Sequence, residues 1–255
     1  MMQIIVEDKK ISDIPVLHVY NVNQTGRLPV VIMFHGMDSH KENNLKPAYK
    51  LARAGFFVVL FDALHHGERK NPVLEPFSTK PNIGEIIKIQ LDNVTVVTPL
   101  VDNCRNNPRA NPNRVGLMGF SMGGNSVYKF ISGTIPDYIK AAVVYSATPC
   151  WSAVLQKMAT AHDMGQEITT ELISWVESIE PYHTIGRLRD FPLLMVNGAR
   201  DEIFPVQGVR DCYQELYPNY NDKQRLVQLE YPQAGHHVAD EMLNPAIEWF
   251  QRFLK

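Results

Sequence analysis

The chain has 255 residues, 45% of them apolar and 20% charged, which excludes the low-hydrophobicity, high-charge composition of a disordered protein. Its net charge of −2 comes from 25 basic and 27 acidic residues, with no block of either sign long enough to line a nucleic-acid groove or hold a membrane surface. Cys104, Cys150 and Cys212 are odd in number and far apart, which argues against a disulfide frame or a zinc cluster. Together with an N-terminus that has no basic start and long apolar core, they predict a soluble cytoplasmic protein.

The first strand candidates, residues 14–22 and 29–34, precede any helix and are expected to pair antiparallel. A helix follows over 44–55, with Gly55 placed to end it, and then a strand over 56–62. Residues 82–107 repeat apolar positions at three and four and read as a long helix. The strand at 114–119 runs straight into a helix over 121–133, and a further strand covers 140–146. From Thr148 to Asp190 no strand candidate appears, and two amphipathic segments, 150–162 and 169–182, predict a helical cap inserted over 148–190. Strands at 192–198 and 225–231 and a last helix over 244–255 complete the pattern. Several of the strands are apolar at nearly every position, as in parallel strands covered on both faces. The alternation predicts one α/β unit over 1–255 with a doubly wound, mostly parallel sheet.

In such sheets the reactive groups gather beyond the carboxyl ends of the strands. Gly119-Phe120-Ser121-Met122-Gly123 is a G-x-S-x-G immediately after a strand and before a helix, the context in which that pattern presents a nucleophile on a sharp turn. The competing reading makes Ser121 a helix N-cap with glycines chosen for close packing. A serine hydroxyl attacks only when a base takes its proton, and the base needs a carboxylate to hold its tautomer. Asp201 and His236 follow later strands in the order Ser, Asp, His. Glu202 and His237 compete as the neighbouring acid and base, and a capping role competes for Asp201.

Acyl transfer also needs donors for an oxyanion, and the backbone N–H groups of Met122 and of Met37, in the loop after 29–34, are the candidates. His66-Gly67 is expected to shape the wall beneath the site and Asp62 to tie down its loop. The pairs His65-His66 and His236-His237 lack the spacing of a metal site, so no metal and no cofactor is predicted. Trp151, Met158, Met164 and Trp175 either line a substrate pocket or pack the cap's own core.

The segments "FHGMDSHKENN", "ALHHGER", "GFSMGG", "NGARDEIFP" and "AGHH" resemble the α/β-hydrolase superfamily. Within it they resemble the dienelactone hydrolases and the prolyl-oligopeptidase-like bacterial esterases, and the chain looks closest to a group of Bacillus and Lactobacillus cytoplasmic hydrolases. The resemblance runs from about residue 15 to the last helix. It implies an eight-stranded α/β-hydrolase fold, with Ser121 as nucleophile, Asp201 as acid and His236 as base. Met37 and Met122 would be oxyanion donors for cofactor-free cleavage of a small ester or thioester of short to medium acyl length. Dienelactone hydrolases carry a cysteine where this chain has Ser121, so their own substrate does not transfer. An N-terminal propeller of the oligopeptidase kind is not found in the sequence, which argues against the expectation of peptidase activity. A peptidase or amidase with the same triad, a non-catalytic binding protein of the same fold and a homodimer all remain open.

Overall fold

The computed structural model describes residues 2–71, 82–160 and 168–255. These residues form one eight-stranded sheet. Its spatial order is β1 (Ile4–Ile11), β2 (Ile14–Asn21), β4 (Phe57–Phe61), β3 (Leu28–Phe34), β5 (Ala110–Phe120), β6 (Ile139–Tyr145), β7 (Leu193–Gly198), β8 (Leu226–Tyr231). The β1–β2 and β2–β4 pairings are antiparallel, and every pairing from β4 to β8 is parallel.

Side chains alternate between the two faces with the strand period of two. Val30, Ile32 and Phe34 of β3 join the core under α2 (Ile83–Arg105), α3 (Met122–Ile131) and α7 (Gln207–Leu216). Val31 and Met33 join the core under α1 (Leu45–Arg53) and α8 (Leu243–Leu254). Both faces are therefore covered, and this is why the central strands read as continuous apolar runs.

The expected antiparallel pairing of the strands near 14–22 and 29–34 does not occur: β4 lies between β2 and β3, so β2 takes β1 and β4 as its antiparallel partners while β3 pairs parallel on both sides. Two strands depart further from the sequence expectation. β1, "IIVEDKKI", was not anticipated: as the edge strand it pairs only with β2 and exposes Asp8, Lys9 and Lys10, so its apolar run stops after Ile4-Ile5-Val6. β5 starts at Ala110 instead of Arg114. Its Asn- and Pro-containing opening reads as a turn, yet Leu28 and Pro29 pair with Ala110 and Asn111 before the register jumps to Val30 opposite Val115.

Between β6 and β7 the described residues hold helices only: α4 (Trp151–Thr160), α5 (Thr170–Ile179) and α6 (Tyr182–Ile185). Trp151 and Leu155 of α4 and Val176 of α5 share a small core with Ile87 of α2, so this segment packs on the first turns of α2. Among the described residues no helix is long and apolar enough to cross a membrane.

Candidate active site

β5 ends at Phe120 and α3 begins at Met122, leaving Ser121 alone at the junction with φ 53° and ψ −119°. A non-glycine residue there is strained and persists only where its surroundings hold it. Here the Ser121 N–H donates to the Tyr145 carbonyl and the Asn125 N–H donates to the Ser121 carbonyl, both at 2.9 Å. The flanking glycines permit the close approach. A Cβ on Gly119 would lie 2.4 Å from the Gly123 carbonyl oxygen, and one on Gly123 would lie 2.3 Å from that of Phe34. The serine hydroxyl makes no cap to α3, so the N-cap alternative falls away.

Ser121 Oγ instead lies 2.8 Å from His236 Nε2, and His236 Nδ1 lies 2.8 Å from Asp201 Oδ2. A carboxylate accepts, so Nδ1 carries the hydrogen and Nε2 is left to accept from the serine. The other carboxylate oxygen, Oδ1, accepts from the N–H groups of Ile203 at 3.0 Å and Phe204 at 2.8 Å. The capping alternative for Asp201 does not hold: α7 begins only at Gln207, with Val206 at its N-cap, so Oδ1 closes the turn at 203–204 and caps no helix. Neither Glu202 nor His237 takes part in this chain of hydrogen bonds; His237 donates its backbone N–H to Gly235.

The loop after β3 passes alongside the serine: a Cβ on Gly36 would sit 3.6 Å from Ser121 Cβ. Two imidazoles pin it to the loop after β4. His35 Nε2 accepts from the Ala63 N–H at 3.0 Å while its Nδ1 donates to the Gly36 carbonyl at 2.7 Å. His66 Nε2 accepts from the Asp38 N–H at 3.0 Å while its Nδ1 donates to the Leu64 carbonyl at 2.9 Å. An N–H donor facing Nε2 requires both rings to be neutral with the hydrogen on Nδ1.

Asp62 fastens the same two loops, accepting from the Lys41 N–H at 2.8 Å, Lys41 Nζ at 3.1 Å and the Glu68 N–H at 3.0 Å. Burial alone would push the Lys41 ammonium down, but its bonds to Glu68, Glu42 and Asp62 outweigh this and hold it charged. His66 thus braces the loop from behind and is absent from the cavity wall where it was expected.

A family model for the dienelactone hydrolase family matches residues 14–244. The chain belongs to the dienelactone hydrolase family. It is an esterase-type hydrolase on the α/β-hydrolase fold. It is 31% identical to "Putative esterase YitV" of Bacillus subtilis (strain 168), an alignment covering 98% of this chain and 99% of that one. "Esterase YjfP" of Escherichia coli (strain K12) is 25% identical over 98% of this chain and 99% of its own length. Among solved structures, TT1662 from Thermus thermophilus superposes with a TM-score of 0.78 at 21% identity. That match covers 100% of this chain and 99% of the other, a likeness of fold.

In this member of the family, Ser121 and His236 open into a cavity of about 450 Å³. Met37 and Met122 line it beside the serine. The first turn of α3 leaves its N–H groups without intrahelical acceptors, which keeps the Met122 N–H available. Trp151 and Met158 of α4 line the far wall with Ile83 and Ile87 of α2. Trp175 does not. It is 39% exposed, because α5 buries Val176 against its neighbours and the preceding residue stands about 100° round the helix. Met164 lies outside the described residues. Among those described, no group of three or more His, Cys, Asp or Glu is placed to hold a metal ion. Gln90, Asn125 and Ser146 also line the cavity and were not anticipated. Gln90 had a readable signal, as the polar member of the stripe Ile83, Ile86, Ile87, Gln90 on α2.

Burial pushes His35 down to about 4, with the backbone bond to Gly36 opposing and His66 adding to the shift, and burial also lowers His66. The unfolded chain then takes up the His35 proton first. Stability is complete above about pH 6.5 and drains away as pH falls toward 4, by about 3 kcal/mol for this ring. Replacing His35 with Gln keeps an acceptor on a side chain that does not titrate. The urea midpoint of His35→Gln is therefore expected to fall less between pH 6.5 and 4 than that of the unaltered protein. Equal falls would remove His35 from the acid response.

Proposed function

We propose that the protein is a serine hydrolase that cleaves small carboxylic esters, thioesters included, through an acyl-enzyme on Ser121. The observation that supports this most directly is the unbroken path from Ser121 Oγ through His236 to Asp201, each step 2.8 Å. In this reading His236 Nε2 takes the serine proton as Oγ bonds to the ester carbonyl carbon, and Asp201 steadies the resulting imidazolium. The carbonyl oxygen becomes an oxyanion received by the N–H groups of Met37 and Met122. Collapse of the tetrahedral intermediate breaks the bond to the alcohol oxygen, which leaves with the proton from His236. Water then enters, gives its proton to His236, attacks the acyl carbon and frees the acid and Ser121.

In this reading the described helices between 148 and 190 form a cap whose α4 encloses the substrate chain, and the cavity beneath it suits short to medium acyl groups. The three cysteines are unpaired, which fits the reducing cytoplasm. A fluorophosphonate probe tests the reading, since only an activated serine forms the phosphonyl ester. One adduct per chain is expected, mapped to Ser121 and absent from His236→Ala. No adduct, or one on another residue, overturns the proposal. Parallel rates on an ester and an aminoacyl amide of the same acyl group separate esterase from amidase, with the ester expected to be the faster.

A further inference from the structure

The wall of the cavity is largely apolar, and three of its polar groups are chemically unfinished. Gln90 extends the Ile83, Ile86, Ile87 stripe of α2 by one turn. Its side chain is only 3% exposed, and Oε1 has no hydrogen-bond partner in the protein. Ser146, directly after β6 and next to the strand end that carries Ser121, is 2% exposed. Its φ is 44°, and its Oγ is likewise without a partner. The indole N–H of Trp151, on the cap side of the same cavity, also finds no acceptor.

A buried amide or hydroxyl left unpaired carries a free-energy cost, and a leucine at position 90 would avoid it while packing as well against Ile86 and Ile87. A chamber that received only alkyl chains would gain nothing from the glutamine. Nor does the wall invite a charge. Among the described residues that line it there is no Lys, Arg, Asp or Glu, so an ionised substituent would be buried without a counter-charge.

Resting on the acyl-enzyme reading above, we infer that this site selects esters bearing a neutral hydroxyl a few atoms from the scissile carbonyl, with Gln90 as the residue that reads it. A hydroxyl both donates and accepts, so it satisfies the glutamine amide in either orientation and has Ser146 as a second partner. An alkyl chain of equal length fills the same space and leaves those groups bare. A site built around a substrate hydroxyl rejects the analogue lacking it more strongly than an apolar pocket rejects a size change. The hydroxyl could arrive on the acyl half or on the alcohol half of the ester, and the chemistry of recognition is the same.

Two pairs of esters test this on the full chain. p-Nitrophenyl 3-hydroxybutanoate against p-nitrophenyl butanoate varies the acyl half, and 3-hydroxypropyl butanoate against propyl butanoate varies the alcohol half. The unaltered protein is expected to favour the hydroxylated member of one pair by about tenfold or more in kcat/KM. The pair in which this happens identifies the half that enters the chamber. Gln90→Leu is expected to erase the preference through a raised KM for the hydroxylated ester, with KM for the plain ester held or lowered; Gln90→Met is a second variant of near-equal volume.

Discrimination in neither pair, or discrimination that survives in both variants, overturns the inference. The Kd values of the same esters for Ser121→Ala, with and without Gln90→Leu, repeat the comparison without turnover. A wrong acyl-enzyme reading and a wrong pocket reading then give different results: turnover by Ser121→Ala within a factor of ten of the unaltered protein signals the first, and equal Kd values within each pair signal the second.

Discussion

Ser121→Ala is expected to lower kcat on p-nitrophenyl butanoate by about 10⁵- to 10⁶-fold, leaving a residue of catalysis from the oxyanion donors and substrate binding. The substitution removes one oxygen, whose side-chain partner among the described residues is His236 Nε2 at 2.8 Å. The Cβ and the backbone at φ 53° remain, so the strain at the junction of β5 and α3 is neither relieved nor increased. The bonds that hold that backbone, to Tyr145 and from Asn125, are main-chain bonds and survive. The denaturation midpoint should therefore stay within the small range of an uncritical substitution. Loss of activity with retained stability separates a nucleophile from a structural serine. Turnover within a factor of ten of the unaltered protein would remove Ser121 from the chemistry.

What could be read from the sequence was whatever depends on short-range pattern. The central parallel strands are apolar throughout because helices cover both their faces, and the G-x-S-x-G junction is a local steric demand, so both are written in consecutive residues. The order Ser121, Asp201, His236 was legible because each stands just past a strand. His236 was preferred to His237 because it directly follows the flexible turn Ala234-Gly235, and it is the ring that lies 2.8 Å from both Ser121 and Asp201.

What escaped the reading depends on distant chain segments meeting. His66 looked like a wall residue, but its ring turns away to accept the Asp38 N–H, a contact between two loops that no spacing encodes. Nothing in the residues around Lys41 signals burial, yet it is 1% exposed, held by Asp62. Trp175 looked like a pocket aromatic because composition cannot tell which side of α5 packs on its neighbours. β1 was missed because an edge strand needs little apolar surface to belong to a sheet.

Asp201→Asn is expected to lower kcat by about 10⁴-fold with little change in stability, because it reverses a tautomer and deletes no packing. In the native site Oδ1 accepts from Ile203 and Phe204 while Oδ2 accepts from His236. An asparagine must still offer an acceptor to the two backbone N–H groups, so its carbonyl oxygen stays on that side and its NH₂ faces the imidazole. His236 can then accept at Nδ1 only by carrying its hydrogen on Nε2, the nitrogen aimed at Ser121 Oγ. A protonated Nε2 takes no proton from the serine, and the nucleophile stays a neutral hydroxyl.

Asp201→Ala is the less informative variant, since it also strands the Ile203 and Phe204 amides and loses stability for that separate reason. Steady-state kinetics of Asp201→Asn beside its urea midpoint make the test. A fall of less than tenfold would mean that His236 keeps its working tautomer without Asp201, and the carboxylate would then be only the anchor of the turn at 203–204.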